Sequence, residues 1–258
     1  MDHQSIWTAP RTTGDAAFIG GHRGASVEAG ENSKEAFEQA ILLGADFIEF
    51  DWRLTRDHVP VVFHDKDLQR LHNDARAIED VTFLELEAID HGIMTVKAAL
   101  ETARGRISVL LDTKITEPDT LLAGLDLLSP WLTDSVAFGT RSLEATQVVR
   151  QRSPESPVLG LFTDPGDYPD LQAMGGLWAR LWETDASQTA IRSLQDQGLN
   201  VIVMVGQHSS VGVIAPEAMD TVLSRGPDAV MLNDVRLGLS ARMRLPVTAA
   251  TESNTRGG

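Results

Sequence analysis

The stretch Asp46-Phe47-Ile48-Glu49-Phe50-Asp51-Trp52-Arg53-Leu54 decides the fold class. It is short and largely apolar, and side chains two apart on a β-strand share a face. Ile48, Phe50 and Trp52 therefore point one way, and Glu49 and Asp51 the other. In a barrel the helix-facing side of each strand is apolar. The two acids are thus expected to face the barrel interior, near the mouth where the strands end.

Working outward, the chain repeats this unit. Short apolar runs occur at Ala16–His22, Asp46–Leu54, Arg106–Lys114, Ser135–Arg141, Pro157–Thr163, Ala179–Thr184, Asn200–Gly206 and Ala229–Asn233. Between them lie stretches of helical spacing: Ser33–Leu43, Glu117–Leu128, Leu143–Arg152, Ala186–Gln197 and Pro216–Ser224. Eight strand-then-helix units with short connections predict a (β/α)₈ TIM barrel. Asn32-Ser33-Lys34-Glu35 has the spacing of a capping box, and Gly198 and Gly226 stand where helices should stop. After the second run, Arg56-Asp57-His58 leads into another β-like run, Val59–His64. This makes a loop insertion around 56–95. One domain is expected over 1–248, with a polar, small-residue tail at 249–258 expected to be disordered.

Composition sets limits. With 37 acidic against 22 basic side chains the formal charge is −15. Nucleic acids are bound by clustered Lys and Arg, so no nucleic-acid partner is expected. Any phosphate site must be made locally positive by a few cations or a metal. There is no Cys, which excludes disulfides, thiolate catalysis and Cys-ligated zinc. The first residues lack a basic stretch followed by an apolar run, and no stretch is long and apolar enough for a transmembrane segment. A cytoplasmic location is the resulting expectation.

Candidate chemistry gathers at the run ends. Glu49 and Asp51 either share a divalent cation, with oxygen ligands suited to Mg²⁺ or Ca²⁺, or one pairs with a basic side chain while the other is solvated. Asp112 and Lys114 share a face at the end of the third run. Asp112 can complete a three-carboxylate site with Lys114 as a phosphate-binding charge, or the two can form an internal ion pair. Of the His residues, His22 and His64 each end a β-like run, one on either side of the Glu49/Asp51 strand. Catalytic groups in barrels gather where strands end. Arg23 follows His22 and offers a bidentate fork, and Gly24 permits a tight turn. No G-x-S-x-G is present. Carboxylates for a cation, two imidazoles for acid and base, and two fixed cations suit phosphodiester cleavage.

The segments His22-Arg23-Gly24-Ala25, Glu31-Asn32-Ser33, Gly44-Ala45-Asp46, Ile48-Glu49-Phe50-Asp51, Thr55-Arg56-Asp57 and Val61-Val62-Phe63-His64-Asp65 together resemble, in order and spacing, the N-terminal signature of the glycerophosphodiester phosphodiesterases. Asp228–Asp234 resembles the family's final strand more weakly. The resemblance implies His22 and His64 as general acid and base, Glu49, Asp51 and Asp112 as ligands of one divalent cation, and Arg23 and Lys114 as phosphate holders. It implies a small-molecule glycerophosphodiester substrate, cleaved to glycerol 3-phosphate and an alcohol after attack by the neighbouring glycerol hydroxyl. Three departures stand out. Asp112 replaces the usual Glu, as in the related spider-venom-type phospholipases D. The run at Val201–Val205 lacks a common Trp, whose place Trp182 either takes as an apolar wall or leaves empty by packing in the core. The segment 66–95 is short for a pocket-capping insertion, and Ile93–Lys97 matches only loosely. The alternatives are phospholipase D-like cleavage of lysophospholipids to a cyclic phosphate, an inactive phosphodiester-binding barrel, and a metal-dependent sugar-phosphate isomerase barrel.

Overall fold

Eight parallel strands close on themselves in the computed structural model, which describes residues 4–12, 14–206 and 210–244. The strands are β1 (Phe18–His22), β2 (Phe47–Leu54), β3 (Pro60–Val62), β4 (Ser108–Thr113), β5 (Val136–Thr140), β6 (Val158–Gly160), β7 (Trp178–Trp182), β8 (Asn200–Met204) and β9 (Ala229–Leu232). β1 pairs in parallel with both β2 and β9, which closes the barrel. β3 alone is antiparallel, folded back on β2 with Trp52 opposite Val62. It is the second β-like run expected inside the 56–95 insertion. The expected tail at 249–258, with His3 and His208, lies outside the described residues.

The helices α1 (Lys34–Leu43), α2 (Gln69–His72), α3 (Phe83–Ile89), α4 (Val96–Ala103), α5 (Pro118–Leu128), α6 (Leu143–Arg152), α7 (Tyr168–Ala173), α8 (Gln188–Asp196), α9 (Pro216–Ser224) and α10 (Val235–Arg244) fill the connections. Gly198 and Gly226 follow α8 and α9 with φ of 85° and 81°, the left-handed stop expected of them. The capping box expected at Asn32 is displaced by one residue. Ser33 caps α1 by accepting from the Ala36 amide, which frees Asn32 for another task. Among the described residues no helix is long and apolar enough to cross a membrane.

Two apolar layers follow from strand alternation. Ile19, Ile48, Phe50, Trp52, Val109 and Leu111 face outward and pack under the helices. Phe47, Leu110, Ala137, Leu159, Trp178 and Ile202 face inward and fill the lower barrel. Trp7, from the N-terminal segment, joins the inner layer. Its ring meets Phe47 and Trp178 edge-on at 5.2 and 5.5 Å, and its carbonyl accepts from the Trp178 indole. The segment thus plugs the bottom of the barrel, a role its polar, aperiodic sequence does not advertise.

Gly20 illustrates how tight the inner layer is. A Cβ there would lie 2.1 Å from the Phe47 ring, and both groups are deep inside. Gly20→Ala is therefore expected to cost about 3 kcal/mol or more, above the centre of the usual overpacking range. A urea titration followed by fluorescence measures it, and an unchanged midpoint would contradict this packing.

Candidate active site

The acidic residues of β2 and β4 meet because their strands are in register. Asp51 lies opposite Asp112, one pleat above the Glu49–Leu110 pair. One carboxylate oxygen from each of Glu49, Asp51 and Asp112 lies within 4.8 Å of the others. These residues are only 2%, 1% and 6% exposed. Burial, and then the like charges of Asp51 and Asp112, hold the Glu49 carboxyl well above its usual range. Burial also opposes the charge on Asp51, but Lys114, His64 and Arg23 outweigh it and hold that carboxyl down. Asp51 Oδ1 is buried and accepts no well-aligned hydrogen bond, with the Lys114 ammonium beside it as an ion-pair partner. Close, desolvated carboxylates fit a divalent cation, whose charge relieves their repulsion.

Cations surround the acids. Lys114 Nζ lies 2.7 Å from Asp112 Oδ2 and 2.9 Å from Asp51 Oδ1, so the internal ion pair expected as one reading is present. Arg23 reaches Asp51 Oδ2 at 3.3 Å and Glu31 Oε1 at 3.0 Å. Its own backbone N–H donates to Glu49 Oε2 at 3.0 Å. The turn that aims it is left-handed at Arg23 (φ 56°) and Gly24 (φ 82°). A Cβ on Gly24 would stand 2.8 Å from the Ala36 backbone, so the turn packs directly on α1. Asn32 is also left-handed, at φ 56°, and its side-chain amide donates to Asp51 Oδ2 at 3.0 Å. At Arg23 and Asn32, which carry a Cβ, such conformations cost roughly 1 kcal/mol or more each and persist where surrounding contacts hold them.

The imidazoles differ in setting. His22 ends β1 opposite Glu49, with Nε2 4.0 Å from Glu49 Oε2. Its Nδ1 lies 2.8 Å from Asn233 Oδ1. The Asn233 amide nitrogen donates to the Val211 carbonyl, so its oxygen faces His22. Nδ1 therefore carries the proton and Nε2 keeps a free lone pair. Burial, with Arg23 alongside, pushes the His22 pKa down to about 4. His64 follows β3. The Phe63 N–H donates to the Asp51 carbonyl and the Arg53 guanidinium to the His64 carbonyl, which ties this residue to β2. Its Nδ1 pairs with Asp65 Oδ1 at 2.6 Å, and Arg70 of α2 holds Asp65. Burial lowers the His64 pKa as well, against the pull of Asp51.

The site residues expected from the sequence thus gather at one end of the barrel. Trp182 lies on the same inward face of β7. It packs in part against the inner layer, and the Arg180 guanidinium sits 4.3 Å from its ring centre. Asp65, Arg70, Asn233, Arg141 and Arg180 carry no role in the sequence reading, and Asn32 only that of a helix cap. Arg141 had a signal, since it closes the fourth apolar run two residues after Gly139, just as Lys114 follows Asp112. It grips Asp112 through Nε, at 2.9 Å, and through Nη2. A cleft of about 410 Å³ lined by Glu183, Thr184, Ser187, Gln188 and Arg225 shares no residue with this cluster.

Fold and cluster together define a (β/α)₈ barrel with a buried carboxylate trio able to hold a metal ion where the strands end. The chain belongs to the glycerophosphoryl diester phosphodiesterase family, whose profile matches residues 22–237. It is 36% identical over 108 residues to the Bacillus subtilis protein YhdW, whose name places it among candidate glycerophosphodiester phosphodiesterases. It is 44% identical over 68 residues to a Mus musculus protein named lysophospholipase D GDPD3. These matches cover 38% and 26% of the chain, and the chain spans only 44% and 21% of those relatives. Among solved structures, a phosphodiesterase of Oleispira antarctica, bound to its product sn-glycerol-3-phosphate, superimposes with a TM-score of 0.76. That likeness covers 88% of this chain and 96% of the other at 19% identity, and it carries the fold.

Proposed function

We propose that the protein hydrolyses glycerophosphodiesters to glycerol 3-phosphate and an alcohol, with one divalent cation, Mg²⁺ or Ca²⁺, held by Glu49, Asp51 and Asp112. The observation that carries this reading is the carboxylate trio within 4.8 Å, beside His22 and the fixed charges of Arg23 and Lys114. When bound, the cation supplies positive charge to the phosphoryl oxygens as negative charge grows on them. Arg23 and Lys114 hold the same phosphate from the protein side.

His22 is the general base of the first half-reaction. It is neutral at pH 7, and its Nε2 lone pair is free because Nδ1–H donates to Asn233. It accepts the proton of the glycerol hydroxyl next to the phosphodiester as that oxygen bonds to phosphorus. His64 is the general acid. Burial lowers its pKa, but the Asp51 and Asp65 carboxylates oppose that and favour the imidazolium form, from which it donates a proton to the departing alcohol oxygen. The products of this half are a cyclic phosphate and the free alcohol. In the second half the roles reverse. His64 takes a proton from water as water bonds to phosphorus, and His22 returns its proton to the glycerol oxygen as the ring opens. Trp182 forms an apolar wall of the substrate site.

A phosphorus NMR time course tests the whole scheme. Glycerophosphocholine, glycerophosphoethanolamine and a lysophospholipid are each incubated with Mg²⁺, with Ca²⁺ and with chelator. The expected result is a glycerol 3-phosphate signal that chelator abolishes. A cyclic phosphate that persists as final product from the lysophospholipid would replace this reading with the phospholipase D-like one. No turnover of any diester would leave the barrel as a binding protein.

A further inference from the structure

One buried cation is not used by this scheme. Arg180 sits in the middle of β7, between Trp178 and Trp182 on the inward face, and is 6% exposed. Among the described residues no carboxylate lies within ion-pair distance of it. Its Nη2 donates to the Leu161 and Phe162 carbonyls at 3.1 and 3.3 Å, and Trp182 covers one face. Its Nη1 is buried with no hydrogen-bond partner. A desolvated guanidinium with an idle donor is costly unless something anionic completes it.

Arg141 is a second cation on this side of the barrel mouth. Ala137 and Gly139 alternate along the inward face of β5, and Arg141 follows directly after its end, two strands from β7, which is about 10 Å at the backbone. Gly139 contributes no side chain between them. The Arg180 head reaches the Leu161 and Phe162 carbonyls, just past the end of β6, which places it toward the end of the barrel that holds the carboxylates. Arg141 spends Nε and Nη2 on Asp112, and Nη1 keeps its two donors. Its side chain is 45% exposed, open to an incoming ligand. Arg23 and Lys114, by contrast, reach the acids from the β1 and β4 ends of the cluster. The barrel mouth thus carries two cationic sides, with the carboxylate trio between.

We propose that Arg180, with Arg141, forms a second oxyanion subsite that takes a carboxylate or phosphate carried by the leaving alcohol, so that glycerophosphodiesters with anionic head groups are preferred. The proposal rests on the glycerophosphodiesterase reading above. It assigns a direction to the substrate as well, with the glycerol phosphate on the Arg23 side and the head group on the Arg180 side. Trp182, stacked on Arg180, screens this contact from water and strengthens it.

The test compares steady-state kinetics of the metal-loaded full chain on two diesters. One has glycolate as its leaving alcohol, which carries a carboxylate, and the other is glycerophosphocholine, which carries a cation. Arg180→Met keeps the apolar stem and removes the charge. It is expected to raise KM for the glycolate diester about tenfold or more and to lower KM for the choline diester. Arg180→Lys should recover part of the original preference, and a melting curve shows that each variant is folded. An equal loss on both substrates would place Arg180 on the scissile phosphate and overturn the proposal, as would unchanged KM values. If the wild type cleaves neither diester, the hydrolase reading fails on its own. The subsite is then judged by tryptophan fluorescence titrated with inorganic phosphate. An emission change present in the wild type and lost in both Arg180→Met and Trp182→Phe supports it, and identical curves in all three overturn it.

Discussion

Replacing His22 or His64 with alanine is expected to lower turnover by about 10²–10⁴-fold, the usual worth of a positioned acid or base. Each imidazole has one ring nitrogen already committed, His22 to Asn233 and His64 to Asp65. Only one nitrogen of each remains for substrate, so neither can take over the other's proton transfer. The two losses should therefore be of similar size and far from additive in the double variant, as for residues that act as a unit. The fold should persist. His64 is half-buried at the end of β3, outside both main apolar layers. His22→Ala leaves Asn233 Oδ1 without its partner and should cost about 1–3 kcal/mol of stability, well short of unfolding. Single-turnover kinetics and a melting curve separate the two effects. A His22→Ala enzyme that retains full kcat would remove His22 from the chemistry.

The second large effect is expected at Asp51. Asp51→Asn should weaken divalent-cation affinity by at least about 100-fold, since changes to groups behind a ligand already cost 10–100-fold. Asp51 is the hinge of the charge arrangement. Asn32 and Arg23 hold its Oδ2, Lys114 faces its Oδ1, and its charge helps raise Glu49. The neutral amide removes one ligand and leaves Arg23 and Lys114 with fewer anions to balance them. Lys114 would then rest on Asp112 alone. Metal content after dialysis and the Mg²⁺ or Ca²⁺ dependence of the rate are the measurements. Unaltered metal content and rate in the variant would take Asp51 out of the site.

Much of this site was legible in sequence because strand alternation is a local rule. Glu49 with Asp51 and Asp112 with Lys114 are i, i+2 pairs, so their common faces follow from the chain alone. His22 and His64 were legible as the ends of apolar runs. Arg180 was hidden for the same reason that made the strand legible, since a single Arg inside WARLW reads as a tolerated interruption. Asn32 was misread as a helix cap because Asn at N-x-x-E is a good local signal. The tertiary need to hold Asp51 overrides that signal, and Ser33 takes over the cap. Asn233 and Asp65 act only through partners, 211 residues away in the first case and adjacent in the second. Neither separation has a period that a sequence pattern can reveal.

Alternation, run length and helical spacing are properties of neighbouring residues, and from them the chain alone determined a (β/α)₈ barrel with acids, imidazoles and cations at its strand ends. Closure of β1 on β9, the register that sets Asp51 beside Asp112, and the Trp7 plug were decided only in three dimensions. So were the proton position on His22 and the burial of Arg180. Each of these depends on which distant strands become neighbours, and that is settled by packing and hydrogen-bond register across the whole barrel.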